Sequence, residues 1–138
     1  MQQTRLSAGV VVVRRGPSGY RFLLLRCFRY WDFPKGMVDE GETPFDAARR
    51  EVREESTLEE LIFAWGQVFI DTPPYAGGKV ARYYLAECPS GDVSLPVTEE
   101  LGRPEHDEFR WVSYNDARRL LGPRLVTVLD WANALIGN

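Results

Sequence analysis

Between Gly36 and Leu58 the chain reads GMVDEGETPFDAARREVREESTL, and the rest of the fold can be worked out from this stretch. Its first part, Gly36 to Glu42, is polar and glycine-punctuated, so it reads as a loop. A helix should begin at Thr43. Threonine can cap with its hydroxyl, Pro44 suits the first helical position, where no amide partner is needed, and Asp46 follows three residues after the cap. The alanine pair Ala47-Ala48 and the arginine- and glutamate-rich run then predict helix to about Ser56.

Glu51, Glu54 and Glu55 fall in the last turns of that helix, at spacings of three and four residues, and so share one face. Folding alone gives little reason to gather them. Like charges at this spacing cost roughly 0.2–0.5 kcal/mol per pair. Anions near the helix C-terminus oppose the dipole by roughly 0.3–1 kcal/mol each. Two readings are open: a solvated face neutralised by Arg49, Arg50 and Arg53, or a seat for a hard cation. Mg²⁺ suits the second, since it takes carboxylate oxygens and leaves positions for water and phosphate.

Outward from the helix, Ala8 to Val13 is valine-rich and reads as a buried strand. The turn cluster Arg15 to Gly19 leads to a second strand, Tyr20 to Arg26, which predicts a hairpin. Arg29 to Gly36 reads as a loop or short strand. Leu61 to Ile70 and Lys79 to Glu87 read as further strands, joined by the proline- and glycine-bearing segment Asp71 to Gly78. Ser90 to Pro104 is a surface loop, and Phe109 to Val112 a strand. Ser113 caps a helix through Leu121. Pro123 opens a last helix to about Ile136, whose Leu125, Val128, Leu129, Ala132 and Ile136 form one apolar stripe. Strands and helices thus interleave around a mixed sheet, in a single α/β domain over residues 1–138.

The bulk properties exclude several classes. The 44% hydrophobic and 27% charged content fits an ordinary globular protein. A net charge of −3 lacks the global basic character of non-specific nucleic-acid binders, and no stable nucleic-acid complex is expected. Cys27 and Cys88 form no disulfide framework, and with His106 they make a poor zinc site. No signal peptide is read in Met1 to Arg5, and Val10 to Val13 is far too short to span a bilayer. A reduced cytoplasmic protein is the expectation.

The spacing Gly36, five residues, Glu42, seven residues, Arg50-Glu51-Val52-Arg53-Glu54-Glu55-Ser56-Thr57-Leu58 resembles the Nudix box, G-x5-E-x7-R-E-U-x-E-E-x-G-U with U aliphatic. Eight of its nine defined positions match, and only Thr57 departs, standing where the box has a glycine. We therefore expect the helix to end one or two residues earlier, or Thr57 to take an ordinary backbone conformation. The surrounding order of elements also looks like the Nudix α/β/α sandwich with a mixed central sheet.

The resemblance implies metal-assisted hydrolysis of a pyrophosphate linkage, with Mg²⁺ as cofactor and Mn²⁺ as an alternative. Glu51, Glu54 and Glu55 would ligate the metal, joined by Glu105 and the Gly36 carbonyl. Arg50 would orient the glutamates and Glu42 brace the loop, while Glu54 or Glu105 would take the proton of the attacking water. His106 and the tryptophans Trp65, Trp111 and Trp131 receive no functional role.

Outside the box, Trp31-Asp32-Phe33-Pro34-Lys35-Gly36, the segment Lys79 to Glu87, and Pro104 to Val112 resemble asymmetric diadenosine tetraphosphate hydrolases of this family. That likeness implies a nucleoside polyphosphate substrate. Lys35 and Lys79 would neutralise the phosphate chain, with Arg26 and Arg82 assisting, and Tyr83, Tyr84 or Phe69 would stack on a base. Arg110-Trp111-Val112-Ser113-Tyr114 also resembles the RNA 5′-pyrophosphohydrolases, which commonly carry glutamine where this chain has Lys35. Diphosphoinositol polyphosphates are a further substrate class. A non-catalytic Nudix-fold binding module is the reading from another class, opposed by the complete glutamate set.

Overall fold

A computed structural model describes residues 5–137; Met1 to Thr4, read above for a leader, lie outside the described residues. The valine-rich run extends in both directions into β1 (Arg5–Gly16), and the hairpin partner is β2 (Gly19–Cys27). Pairing from Val13↔Phe22 to Gly16↔Gly19 leaves Pro17-Ser18 as the turn.

Beyond that register the two strands part. β1 is occupied on its other edge by β6 (Lys79–Glu87), parallel from Arg5↔Lys79 to Val13↔Glu87. The far edge of β2 is taken by β7 (Glu108–Val112). The segment read as a loop or short strand fills the fork between them as two short strands. β3 (Tyr30–Asp32) pairs with β2, and β4 (Lys35–Met37) pairs with β1 through Ala8↔Gly36 and Gly9↔Lys35. Gly9 permits that close approach, because a Cβ there would overlap the Pro34 carbonyl and Lys35. Short β5 (Phe69–Asp71) completes the sheet beside β6.

Alternation along the strands divides the core. Val11, Val13, Phe22 and Leu24 face α2 (Tyr114–Leu120) and α3 (Pro123–Ile136), contributing to one cluster with Ala117, Leu125, Val128, Leu129 and Ala132. Ala8, Val10, Val12, Leu23 and Leu25 face α1 (Pro44–Ser56) through Ala47, Ala48 and Val52. The mixed sheet is thus sandwiched between helices, as expected. α1 begins as its sequence predicts, Thr43 accepting from the Asp46 amide at 3.1 Å, and Ser113 caps α2 in the same way through Asp116 at 3.2 Å. No helix among the described residues is long and apolar enough to cross a membrane. Cys27 and Cys88 are free thiols.

Two expectations are corrected. The strand expected from Leu61 to Ile70 shrinks to β5 and a single bridge, Ile62↔Glu87. Gly66, at φ 83°, turns the chain between them and donates to the Phe63 carbonyl, which interrupts the extended run. The relaxed view of Thr57 also fails. α1 runs its full predicted length, and Thr57 caps it in the left-handed region at φ 66°, its amide bonding the Arg53 carbonyl at 2.9 Å. The helix needs that left-handed exit whether or not a glycine supplies it.

Candidate active site

The last turns of α1 bring Glu51, Glu54 and Glu55 to the edge of a groove of about 650 Å³, and Glu105 meets them from the loop before β7. Arg50 is clamped among the acids. Its Nε and one terminal nitrogen grip Glu42 at 2.8 and 3.0 Å, a bidentate contact. The other terminal nitrogen donates to Glu51 at 2.8 Å and Glu54 at 3.0 Å, while a bond to the Met37 carbonyl at 3.0 Å ties the helix to β4. Glu42 closes the loop by accepting from the Asp39 amide at 3.0 Å. These contacts hold the Glu42 carboxyl below its ordinary value, Arg50 being the main cause.

Gly36 sits against the Glu51 carboxylate, and a Cβ there would overlap all three carboxylate atoms. Any side chain would displace the Glu51 carboxylate, so glycine here serves close approach rather than backbone angle.

Glu55 is the buried member, 9% exposed, with one oxygen accepting from the Lys35 amide at 2.9 Å. Burial, then the neighbouring charges of Glu105 and Glu51, push its carboxyl up to about 10. Glu51 is also pushed up by burial, with Arg50 opposing. Donor atoms of Glu55, Glu105 and His106 lie within 4.8 Å of one another. The rise at Glu51 and Glu55, from burial and neighbouring negative charge, fits a hard divalent cation, whose charge would let the two ionise together.

His106 is the residue that the sequence reading left without a role. It lines a recess of about 90 Å³ with Glu51, Glu54, Glu55 and Glu105, and burial pushes its imidazole below its ordinary value. Its only signal was its place beside Glu105. Tyr75, from the connection between β5 and β6, was likewise missed, yet it lines the main groove with Lys35 and Lys79.

The rest of the lining includes a basic wall. Lys35 on β4 and Lys79 at the start of β6 both line the groove. The remaining expected substrate contacts do not join them. Arg26 is held by Glu108 at 3.2 Å and Asp107 at 3.6 Å, and Arg82 forms a two-point pair with Asp71 at 2.8 and 3.0 Å, so carboxylates of the fold already neutralise both. Tyr83 is fully buried in the core. Tyr84 is 5% exposed and lies between Phe45 and Phe69, at centroid distances of 5.2 and 5.6 Å, which closes it to a base. Phe69 is exposed, but the Arg82 guanidinium covers its ring at 4.0 Å.

The NUDIX domain model matches residues 3–132. The chain belongs to this family. RNA pyrophosphohydrolase of Shewanella sediminis is 35% identical over 98 residues, covering 61% of this chain and 56% of that protein. The chain thus spans a little over half the length of that relative. RNA pyrophosphohydrolase of Shewanella piezotolerans is 30% identical over 125 residues, 80% of this chain and 70% of the relative. Among solved structures, a binary complex of C. elegans Ap4A hydrolase superposes with a TM-score of 0.81 at 28% identity, over 95% of this chain and 98% of that one. The box-like segment Gly36 to Leu58 supplies Glu51, Glu54 and Glu55 of the groove and the Arg50–Glu42 clamp.

Proposed function

We propose that this Nudix chain is a pyrophosphohydrolase that cleaves diadenosine tetraphosphate to ATP and AMP with a divalent cation, Mg²⁺ being the expected ion and Mn²⁺ the alternative. The observation that carries this reading is one groove lined by Glu51, Glu54, Glu55, Glu100 and Glu105 together with Lys35 and Lys79. Acids suit the cations at the scissile phosphate, and lysines suit the rest of a phosphate chain. The likeness to the C. elegans Ap4A hydrolase over nearly all of both chains supports the same substrate.

Glu51, Glu54, Glu55 and Glu105 would hold the ion, joined by the Gly36 carbonyl. A bound divalent cation supplies polarisation of the phosphate oxygens and a lowered pKa for water. Arg50 keeps Glu51 and Glu54 aimed at the groove, and Glu42 braces Arg50. Glu54, 55% exposed, or Glu105, also exposed, takes the proton of the attacking water. Lys35 and Lys79 bind the phosphate chain. Tyr75 offers a ring to adenine, backed by the Arg124 guanidinium at 3.9 Å.

A second reading, removal of pyrophosphate from 5′-triphosphorylated RNA, is favoured by the Shewanella relatives. A Mg²⁺ turnover panel separates the two. It compares diadenosine polyphosphates, 5′-triphosphate RNA, nucleoside triphosphates and diphosphoinositol phosphates, with hydrolysis in ¹⁸O-water to locate the attack. ATP plus AMP as products is the expected result. Two ADP molecules, or faster turnover of the RNA at matched concentration, would replace the proposed substrate.

A further inference from the structure

Behind the basic wall lies a carboxylate that the proposed reaction leaves unused. Asp32 ends β3 in the fork of the sheet, with 22% of its side chain exposed. Its Oδ1 accepts from the Tyr83 hydroxyl at 2.9 Å and from the Phe33 amide at 2.6 Å. Tyr83 is fully buried and packs edge-on against Phe33, with centroids 5.6 Å apart, so one side of the carboxylate is anchored in the core. Its Oδ2 lies 3.9 Å from the Lys35 ammonium.

That distance is an ion pair without a hydrogen bond, so the lysine is attracted but uncommitted. Lys35 also lines the groove, and its backbone amide is fixed by Glu55. Its long side chain can therefore swing between the carboxylate and the groove without moving the strand. Arg124, on α3, shares a cavity of about 480 Å³ with Asp32 and stacks on Tyr75, one of its nitrogens buried without a hydrogen-bond partner. Burial pushes the Asp32 carboxyl above its ordinary value, while Lys35, the Tyr83 bond and Arg124 pull it back.

We propose that Asp32 is a positioning residue acting through Lys35: it holds the ammonium when no phosphate is bound and competes with phosphate for it afterwards. This rests on the reading of Lys35 as a phosphate ligand. A polyphosphate outbids a single carboxylate for the lysine, and the carboxylate reclaims it as the product departs. Removing the competitor therefore tightens binding of phosphate ligands.

Asp32→Asn keeps the size and an oxygen for Tyr83 and Phe33 while removing the charge. With Mg²⁺ present, its equilibrium affinity for ATP should rise about two- to five-fold, the range of an ion pair of this exposure. The KM for diadenosine tetraphosphate should fall and product inhibition by ATP strengthen by the same factor. In a Lys35→Ala background the substitution should have no effect on ATP affinity. Asp32→Ser carries the same expectations if Asp32→Asn does not fold. A purely structural role would instead weaken binding in both backgrounds. Unchanged or weaker ATP binding in Asp32→Asn, with Lys35→Ala still weakening it, overturns this inference and leaves the phosphate reading intact. Unchanged ATP binding in Lys35→Ala removes both.

Discussion

The acidic wall of the groove draws three of its five glutamates and their arginine clamp from one continuous helix, whereas the basic wall takes Lys35 from β4, Tyr75 from a connection and Lys79 from β6. The difference extends to bonding. On the acidic side Arg50 alone makes five hydrogen bonds to Glu42, Glu51, Glu54 and Met37. On the basic side Lys35 has one loose ion pair, and Lys79 has none among the described residues. One wall is preorganised and mutually constrained, and the other is long side chains free to follow a ligand. Preorganised groups fix where charge is handled at the reacting centre, and flexible ones tolerate variation in what is bound.

The largest effects should come from the acidic wall. Glu55→Gln and Glu54→Gln are each expected to lower Mg²⁺-dependent turnover by on the order of 100-fold or more, since even the outer partners of metal ligands are worth about 10–100-fold. Stability should separate the two. Glu55 is buried with its carboxyl pushed up to about 10, whereas its unfolded value is near 4.5. The folded state therefore prefers the protonated acid. The Glu55 contribution to metal-free stability is full below pH about 4.5 and is lost progressively as pH rises toward 10. Thermal melting of the metal-free protein should show that decline between pH 6 and 9, reversal by added Mg²⁺, and flattening in Glu55→Gln. Near-normal turnover in both variants under saturating Mg²⁺ would dissolve the proposed division of labour between the walls.

Arg50→Lys probes the clamp itself. The charge remains, but an ammonium cannot grip Glu42 at two points while reaching Glu51 and Glu54. We expect about a 10–100-fold loss of turnover, as for other residues that orient metal ligands. Recovery at high Mg²⁺ would show that the clamp acts on metal affinity. Wild-type kinetics in Arg50→Lys would mean that Coulomb attraction alone organises this wall.

The same contrast explains what could be read in advance. Residues 36–58 were legible because helix periodicity, a capping threonine and fixed spacing place Glu51, Glu54, Glu55, Arg50 and Glu42 together without any tertiary information. The basic wall depends on which strands become neighbours. The fork between β1 and β2, which inserts β3 and β4, has no local signature, so the proximity of Lys35 to Asp32 and the cover over Tyr84 were not visible. Arg26 and Arg82 were expected to reach phosphate because they are cations near the right segments. Their carboxylate partners, Glu108 and Asp71, become neighbours only through strand pairing. Tyr75 and His106 lie in connections, where neither period nor spacing marks a side chain as facing a site.

Lys79→Gln tests the flexible wall and should have a moderate effect. KM should rise about three- to ten-fold for diadenosine tetraphosphate, the size of one charged phosphate contact, and less for shorter chains. The defect should shrink as salt screens the groove. A salt-independent defect, or one equal for all chain lengths, would place Lys79 outside the phosphate path. The two walls would then no longer divide by charge.

The smallest effect concerns the end of the acidic wall. α1 and α3 both finish with a left-handed residue, Thr57 at φ 66° and Gly137 at φ 67°, but only the second is glycine. A β-branched side chain in that region is strained by roughly 1–2 kcal/mol. Thr57→Gly removes the strain. Against this, glycine gives the unfolded chain more freedom, worth about 0.4–1 kcal/mol. The substitution also loses the Thr57 hydroxyl, which has the Ser56 carbonyl at 2.5 Å and the Asp92 carbonyl at 3.3 Å as acceptors, a bond contributing about 0.5 kcal/mol. The balance lies between about −0.5 and +1 kcal/mol in favour of the variant, a shift in melting temperature of at most about 4 °C either way. Turnover should stay within about two-fold of wild type, because the Arg53–Thr57 backbone bond that ends the helix is retained. A clear loss of stability in Thr57→Gly would mean that the hydroxyl tie to the loop at Asp92 outweighs the backbone strain. The end of α1 would then depend on a contact outside its own segment, as Glu55 already does through the Lys35 amide.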